Sequence, residues 1–231
     1  MKKSGIALLV TLFFQGIFAQ NGNHVNYDST LIKTYARVAF YPGDDNKAIV
    51  RKWDKDIKIF IEGNASSFMK ESMPAIVKEV APYLDTIHIK IVGDKGDANF
   101  LIKIDTASKI ASWYHINWDN SGNIYKASAI LNPNIIFNRQ EQLAKIREYL
   151  MISLGNFRTS PRTANPNLLI RQYQTVNASS NDEKPLGVNS ILVSFMNGFT
   201  DFDFKLLQLH YSHLIKAGMT KDEFYSSMFT K

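Results

Sequence analysis

Hydrophobic residues in this chain follow two periods, and their order predicts the architecture. Residues 20–53 are polar at first and then form a mixed segment that ends in "AIVRKW". In "DIKIFIEG", Ile57, Ile59 and Ile61 alternate with other residues, the period of a strand with one buried face. "MPAIVKEVAPYL" then carries Ile76, Val77, Val80 and Leu84 at helical spacing. Pro74 suits the first turn of such a helix, where no intrahelical N–H is needed. "TIHIKIV" alternates again through Ile87, Ile89 and Ile91, and "NFLIKI" reads as a third strand. "NWDNSGN" is a turn rich in Asn, Asp and Gly, and "IYKASAIL", residues 124–131, is a fourth strand.

A long helix follows. Asn138 can cap it, with Glu141 three residues on in the pattern of a capping box. Leu143, Ile146, Leu150 and Leu154 form one apolar stripe, and Gly155 stands where a left-handed residue would end the helix. The region beyond it, about 156–189, is polar and longer than an ordinary connector. Thr200 with Asp203 opens another helix, with Leu207, Tyr211 and Leu214 on its buried side. Gly218 closes that helix, and Thr220 with Glu223 opens a short last one. The order predicts an α+β fold, a mixed, mostly four-stranded sheet packed on helices. The strand 124–131, directly before the long helix, is expected at the edge of the sheet.

The first residues read differently. "MKK" and the apolar run "GIALLVTLFFQGIF" have the form of a signal peptide, too short for a comfortable membrane span. Cleavage near Ala19 is expected, which gives residues 1–19 as signal, 20–47 as an N-terminal extension and 48–231 as the domain. This implies a bacterial protein, exported to the periplasm or secreted, with no transmembrane segment in the mature chain. The 231 residues include no cysteine, so disulfides, thiolate metal sites and cysteine nucleophiles are excluded. The chain carries a formal charge of +6, and loss of Lys2 and Lys3 lowers it to +4. Bases and acids are interspersed, as in "RKWDKDIK", which speaks against nucleic acid as a partner.

Three stretches, in this order, resemble the zincin fold of matrixin- and astacin-like metalloproteases across about residues 48–220. The helix ending "SLGNF" is similar to the metal helix of those enzymes, which ends in Leu-Gly. "NSILVSF" is placed like the segment that turns beneath the metal. "DFDFKLLQLHY" looks like the closing helix, and "LIKAGM" after it is similar to an exported bacterial zincin-like family of uncharacterised function. The family motif sets two histidines four apart on the helix, a glutamate that activates zinc-bound water, and a third histidine after the turn. Anchored on Gly155, those positions fall on Glu148, Tyr149, Ile152 and Arg158. Ile152 cannot ligate, Arg158 repels a cation, and Tyr149 is a poor base near neutral pH.

The resemblance therefore implies the fold without zinc proteolysis, catalytic residues or a cofactor. It implies a pseudoenzyme whose old cleft, with Glu148, Tyr149 and Arg158 beside it, binds a peptide, a protein or a surface polymer. The alternative is a metal-dependent hydrolase with a non-standard set, Glu148 with His210 and His213, the last two sharing a helix face at i and i+3. Other chemistry is thin. Asp201 and Asp203 suit the positive end of a helix, "VGDKGDAN" lacks the helix that a phosphate cradle needs, and Trp53, Trp113 and Trp118 read as core or cleft-rim residues.

Overall fold

The computed structural model describes residues 27–40, 47–136, 138–157 and 198–229. The expected signal peptide, Arg158, "NSILVSF" and nearly all of the 156–189 region lie outside the described residues.

The fold is α/β: a six-stranded, mostly parallel sheet and, among the described residues, five α-helices. In chain order these are α1 (Ser29–Ala39), β1 (Lys52–Trp53), β2 (Ile57–Gly63), α2 (Ser67–Val80), β3 (Ile89–Ile91), β4 (Phe100–Ile104), β5 (Ser112–Trp118), β6 (Asn123–Leu131), α3 (Arg139–Gly155), α4 (Asp201–Tyr211) and α5 (Lys221–Phe229). β3, β2, β4 and β6 run parallel in that spatial order. β1 pairs parallel with the first residues of β6, and β5 pairs antiparallel along its length.

This corrects the expectation of an α+β fold with four strands. β1 has only two residues. β5 is hidden because it carries large side chains on both faces: Tyr114 and Ile116 pack against the core while Trp113 and His115 point out, so the alternation is blurred. The strand 124–131 is not an edge either. It lies between β4 and β5, and its small Ala127 and Ala129 are buried beneath α3. Among the described residues, the outer strand on that side is β5.

The helices cover one face of the sheet. Ile57, Ile59, Phe100, Ile102, Ile104 and Leu131 are buried beneath them, while the alternate positions are half-buried or exposed. The segment 20–47, read as an extension, supplies α1 to this same core through Leu31, Ile32, Tyr35 and Val38. α2 begins earlier than expected, capped by the Ser66 hydroxyl, so Pro74 lies inside it. Pro74 and Lys70, whose carbonyl loses its i+4 donor there, are both exposed, so water can satisfy that group. The capping boxes at Thr200–Asp203 and Thr220–Glu223 are formed as expected.

α3 is the centre of the molecule. Leu143, Ile146, Leu150 and Leu154 are buried as the stripe requires, but its last two turns are buried on every side, Met151, Ile152 and Ser153 included. Such an end leaves carbonyls without helical donors. Two are taken by buried side chains: the Trp53 indole donates to the Ser153 carbonyl at 2.8 Å, and the Tyr211 hydroxyl donates to the Leu154 carbonyl at 2.6 Å. The left-handed residue is Asn156 (φ 50), not Gly155. Gly155 is required for space, since a Cβ there would lie 2.5 Å from the Phe157 ring and 2.9 Å from His210 Nε2.

Leu150→Ala should lower the unfolding free energy by about 2–5 kcal/mol, from lost transfer energy and the cavity left beneath α3; a change within error in urea titration would place that face outside the core. Trp53→Phe keeps one aromatic ring but loses the indole N–H that serves the Ser153 carbonyl and part of the buried volume, and the same titration should show a loss of about 1–3 kcal/mol or more.

Candidate functional site

Glu148 and Tyr149 follow one another on α3 and point to different neighbours. Glu148 is buried, and its carboxylate accepts a hydrogen bond at 2.7 Å from Lys145, one turn earlier. Burial dominates this pair: it raises the Glu148 pKa to about 7 against the pull of Lys145, and it lowers that of Lys145. A carboxyl held this way is a partly protonated internal group rather than a strong metal ligand.

Tyr149 ties α3 to the outer strand. Its hydroxyl donates to the Ser112 Oγ at 2.6 Å, and its ring packs 5.3 Å from that of Tyr114. Burial pushes its pKa up, so it stays neutral at ordinary pH. Tyr149 is thus a fastener between α3 and β5. Ile152, at the second ligand position, is a core residue. Arg158 lies outside the described residues.

The alternative set does not come together. α4 ends at Tyr211 because Ser212 is extended (ψ 160), so His213 lies beyond the helix and is exposed. His210 is fully buried, shares a 2.9 Å hydrogen bond between its Nδ1 and the Tyr35 hydroxyl, and packs against Phe157. Burial and the nearby charge of Lys52 hold its pKa well below the usual value, so the ring is neutral. His210 packs at Gly155, seven residues along α3 from Glu148, or about 10 Å of helix. Among the described residues, no three His, Asp or Glu side chains stand where they could share one metal ion.

A second feature had no sequence signal. A cleft of about 370 Å³ opens beside the first residues of β6 and the chain after α4, lined by Lys52, Asp85, Thr86, Asn123, His213 and Lys216 among others. Lys52 sits over the Tyr211 ring and donates to the Ile215 carbonyl at 3.0 Å and, more weakly, to that of Ser212 at 3.4 Å. Its pKa falls to about 8 because it is partly buried, although Asp85 opposes the shift. In "RKWDKDIK" this lysine reads as one more surface charge, since nothing in the spacing shows that β1 runs under the end of α4.

No protein-family model matches this chain, and no curated protein matches it. Among the described residues, no helix is long and apolar enough to cross a membrane.

Glu148 gives a pH test. Its pKa is 4.5 in the ordinary state and about 7 when folded, so between those values the folded chain holds a proton that the unfolded chain has released. Stability therefore falls as pH rises from about 4.5 to about 7. Glu148→Gln should remove that slope. Unfolding free energies at both ends of the window should show the variant gaining on the parent by on the order of 1–3 kcal/mol; a constant difference would show that Lys145 keeps the carboxylate charged throughout.

Proposed function

We propose that this protein is an exported, non-catalytic, zincin-like domain that binds an extended peptide or protein segment along β5. The observation that carries the reading is the junction of β5 with α3. The position that would hold a catalytic base is Tyr149, and its hydroxyl is used to fasten the strand through Ser112. The resemblance implies a substrate lying extended along an edge strand above the metal helix. Among the described residues β5 is the outer strand beside α3, which supports a cleft there rather than at residues 124–131.

The ladder sets which groups face outward. Asn132 donates its N–H to Ala111, and Asp105 donates to the Leu131 carbonyl on the β4 side. Pairs in an antiparallel ladder alternate, so the backbone of Trp113 and His115 faces β6 while that of Ser112 and Ile116 faces the outer edge. A peptide strand can add there through main-chain hydrogen bonds. The signal-like N-terminus supports export, and Glu148 tied to Lys145 with Ile152 in the core supports the absence of metal catalysis.

The test is a diverse peptide array followed by amide hydrogen exchange. Bound peptide should slow exchange at Ser112 and Ile116 more than at Trp113 and His115. Absence of binding from the array, or protection that falls elsewhere, overturns the assignment.

A further inference from the structure

The face of the sheet turned away from the helices carries a pattern that the edge does not use. Register sets Lys90 beside Lys58, and Lys58 lies two strands from Lys126 on the same face, because Ile59 pairs with Phe100 and Phe100 with Ala127. The three lysines therefore stand in one row across the sheet, their backbones separated by strand spacings of about 4.8 Å and about 9.6 Å. Like charges set directly opposite, as Lys58 and Lys90 are, destabilise a sheet.

The other lysines of this face are neutralised in place. Lys103 pairs with Asp105 and Lys95 with Glu62. Among the described residues, no carboxylate stands in ion-pair contact with Lys58, Lys90 or Lys126; Asp56 accepts from the His88 N–H and feels the charge of Lys90 only as a smaller influence. The next row inward is apolar, with Phe60 and Leu101 half-buried side by side. That row ends on β5 at His115, which stacks on Trp113 of the following row, with rings 5.6 Å apart and 6° from parallel; Trp113 is 44% exposed.

We propose that this open face binds a linear acidic polysaccharide. The lysine row, which holds no close ion pair, supplies cations for successive carboxylates, and an anion bridging Lys58 and Lys90 relieves their repulsion. The Trp113 ring, held flat by His115, offers an apolar plane for the C–H face of a sugar. Asn117, in register with Lys126, offers an amide for hydroxyl groups. A single rigid aromatic plane suits one sugar ring, whereas single-stranded nucleic acid is gripped by several rings on which successive bases stack. The surface is formed by side chains of the sheet face, so it is separate from the main-chain edge of β5.

The experiment measures binding of the full chain to polygalacturonate, to neutral dextran, to an oligo(dT) and to phosphatidylglycerol vesicles. The expected result is binding to polygalacturonate that weakens with salt, with little to dextran. Replacing Lys58, Lys90 and Lys126 by Gln should weaken binding by roughly tenfold or more, as should Trp113→Ala alone. Replacing Lys70, Lys78 and Lys205, exposed on the helices, removes the same charge and should leave binding within about twofold of the parent. The sheet-face variant should melt no lower than the parent, since repulsion is removed. Equal losses in the two triple variants, unchanged binding after Trp113→Ala, equal binding to dextran, or preference for oligo(dT) or vesicles overturns the proposal.

Discussion

The structure depends on how the end of one buried helix meets its hydrogen-bonding needs. The last turns of α3 are surrounded by protein, so water is not present to accept the role of missing donors. Trp53 reaches Ser153 from the sheet, and Tyr211 reaches Leu154 from α4. Two elements far apart in sequence are thereby fixed to one turn. Gly155 lets Phe157 and His210 close over that turn, and Asn156 adopts the left-handed conformation that lets the chain leave. His210 then meets Tyr35, which draws α1 into the same cluster with Phe224 of α5. A side chain at residue 155 would disturb four elements at once.

From that anchored end, α3 projects back across β6, and its position decides what the outer strand can do. Ala127 and Ala129 are small, so the helix lies close to the sheet and Tyr149 reaches β5. The chemistry of the α3 face follows from its burial. A carboxyl and an ammonium set one turn apart in a low-dielectric site both move toward neutrality, which leaves Glu148 poorly suited to hold a metal and Lys145 poorly suited to attract an anion. The polar groups there hold the fold together and are spent in doing so.

Much of this was legible in the sequence because strong local signals coincided with burial. Ile57 and Ile59 marked β2, Leu143 to Leu154 marked α3, and Thr200 with Asp203 marked the start of α4. The errors arose where the deciding partner is distant. β5 carries aromatics on both faces, so periodicity could not separate its core side from its open side. Adjacency of residues 124–131 to α3 in the sequence suggests an edge strand, whereas strand order is set by pairing across the sheet. Gly155 resembled a left-handed terminator, yet the space it leaves is filled by His210, fifty-five positions away in the chain. His210 and His213 looked like partners at i and i+3 until Ser212 turned the chain out of the helix. The partners of Glu148 and Tyr149, Lys145 and Ser112, follow from burial and strand pairing, and that is tertiary information.

The two faces of the sheet show different balances of charge and burial. Beneath the helices, burial pushes His210 and Glu148 toward their neutral forms, because it penalises an isolated charge. On the open face solvent lowers that penalty, so Lys58 and Lys90 can stand in register without a carboxylate. The cost of their repulsion is small beside a core defect, and the fold tolerates it. A fold stabilised chiefly through α3 is free to vary that outer surface, since no helix packing depends on it among the described residues. Stability therefore resides on the covered face, and recognition has most room on the open face and along the edge of β5.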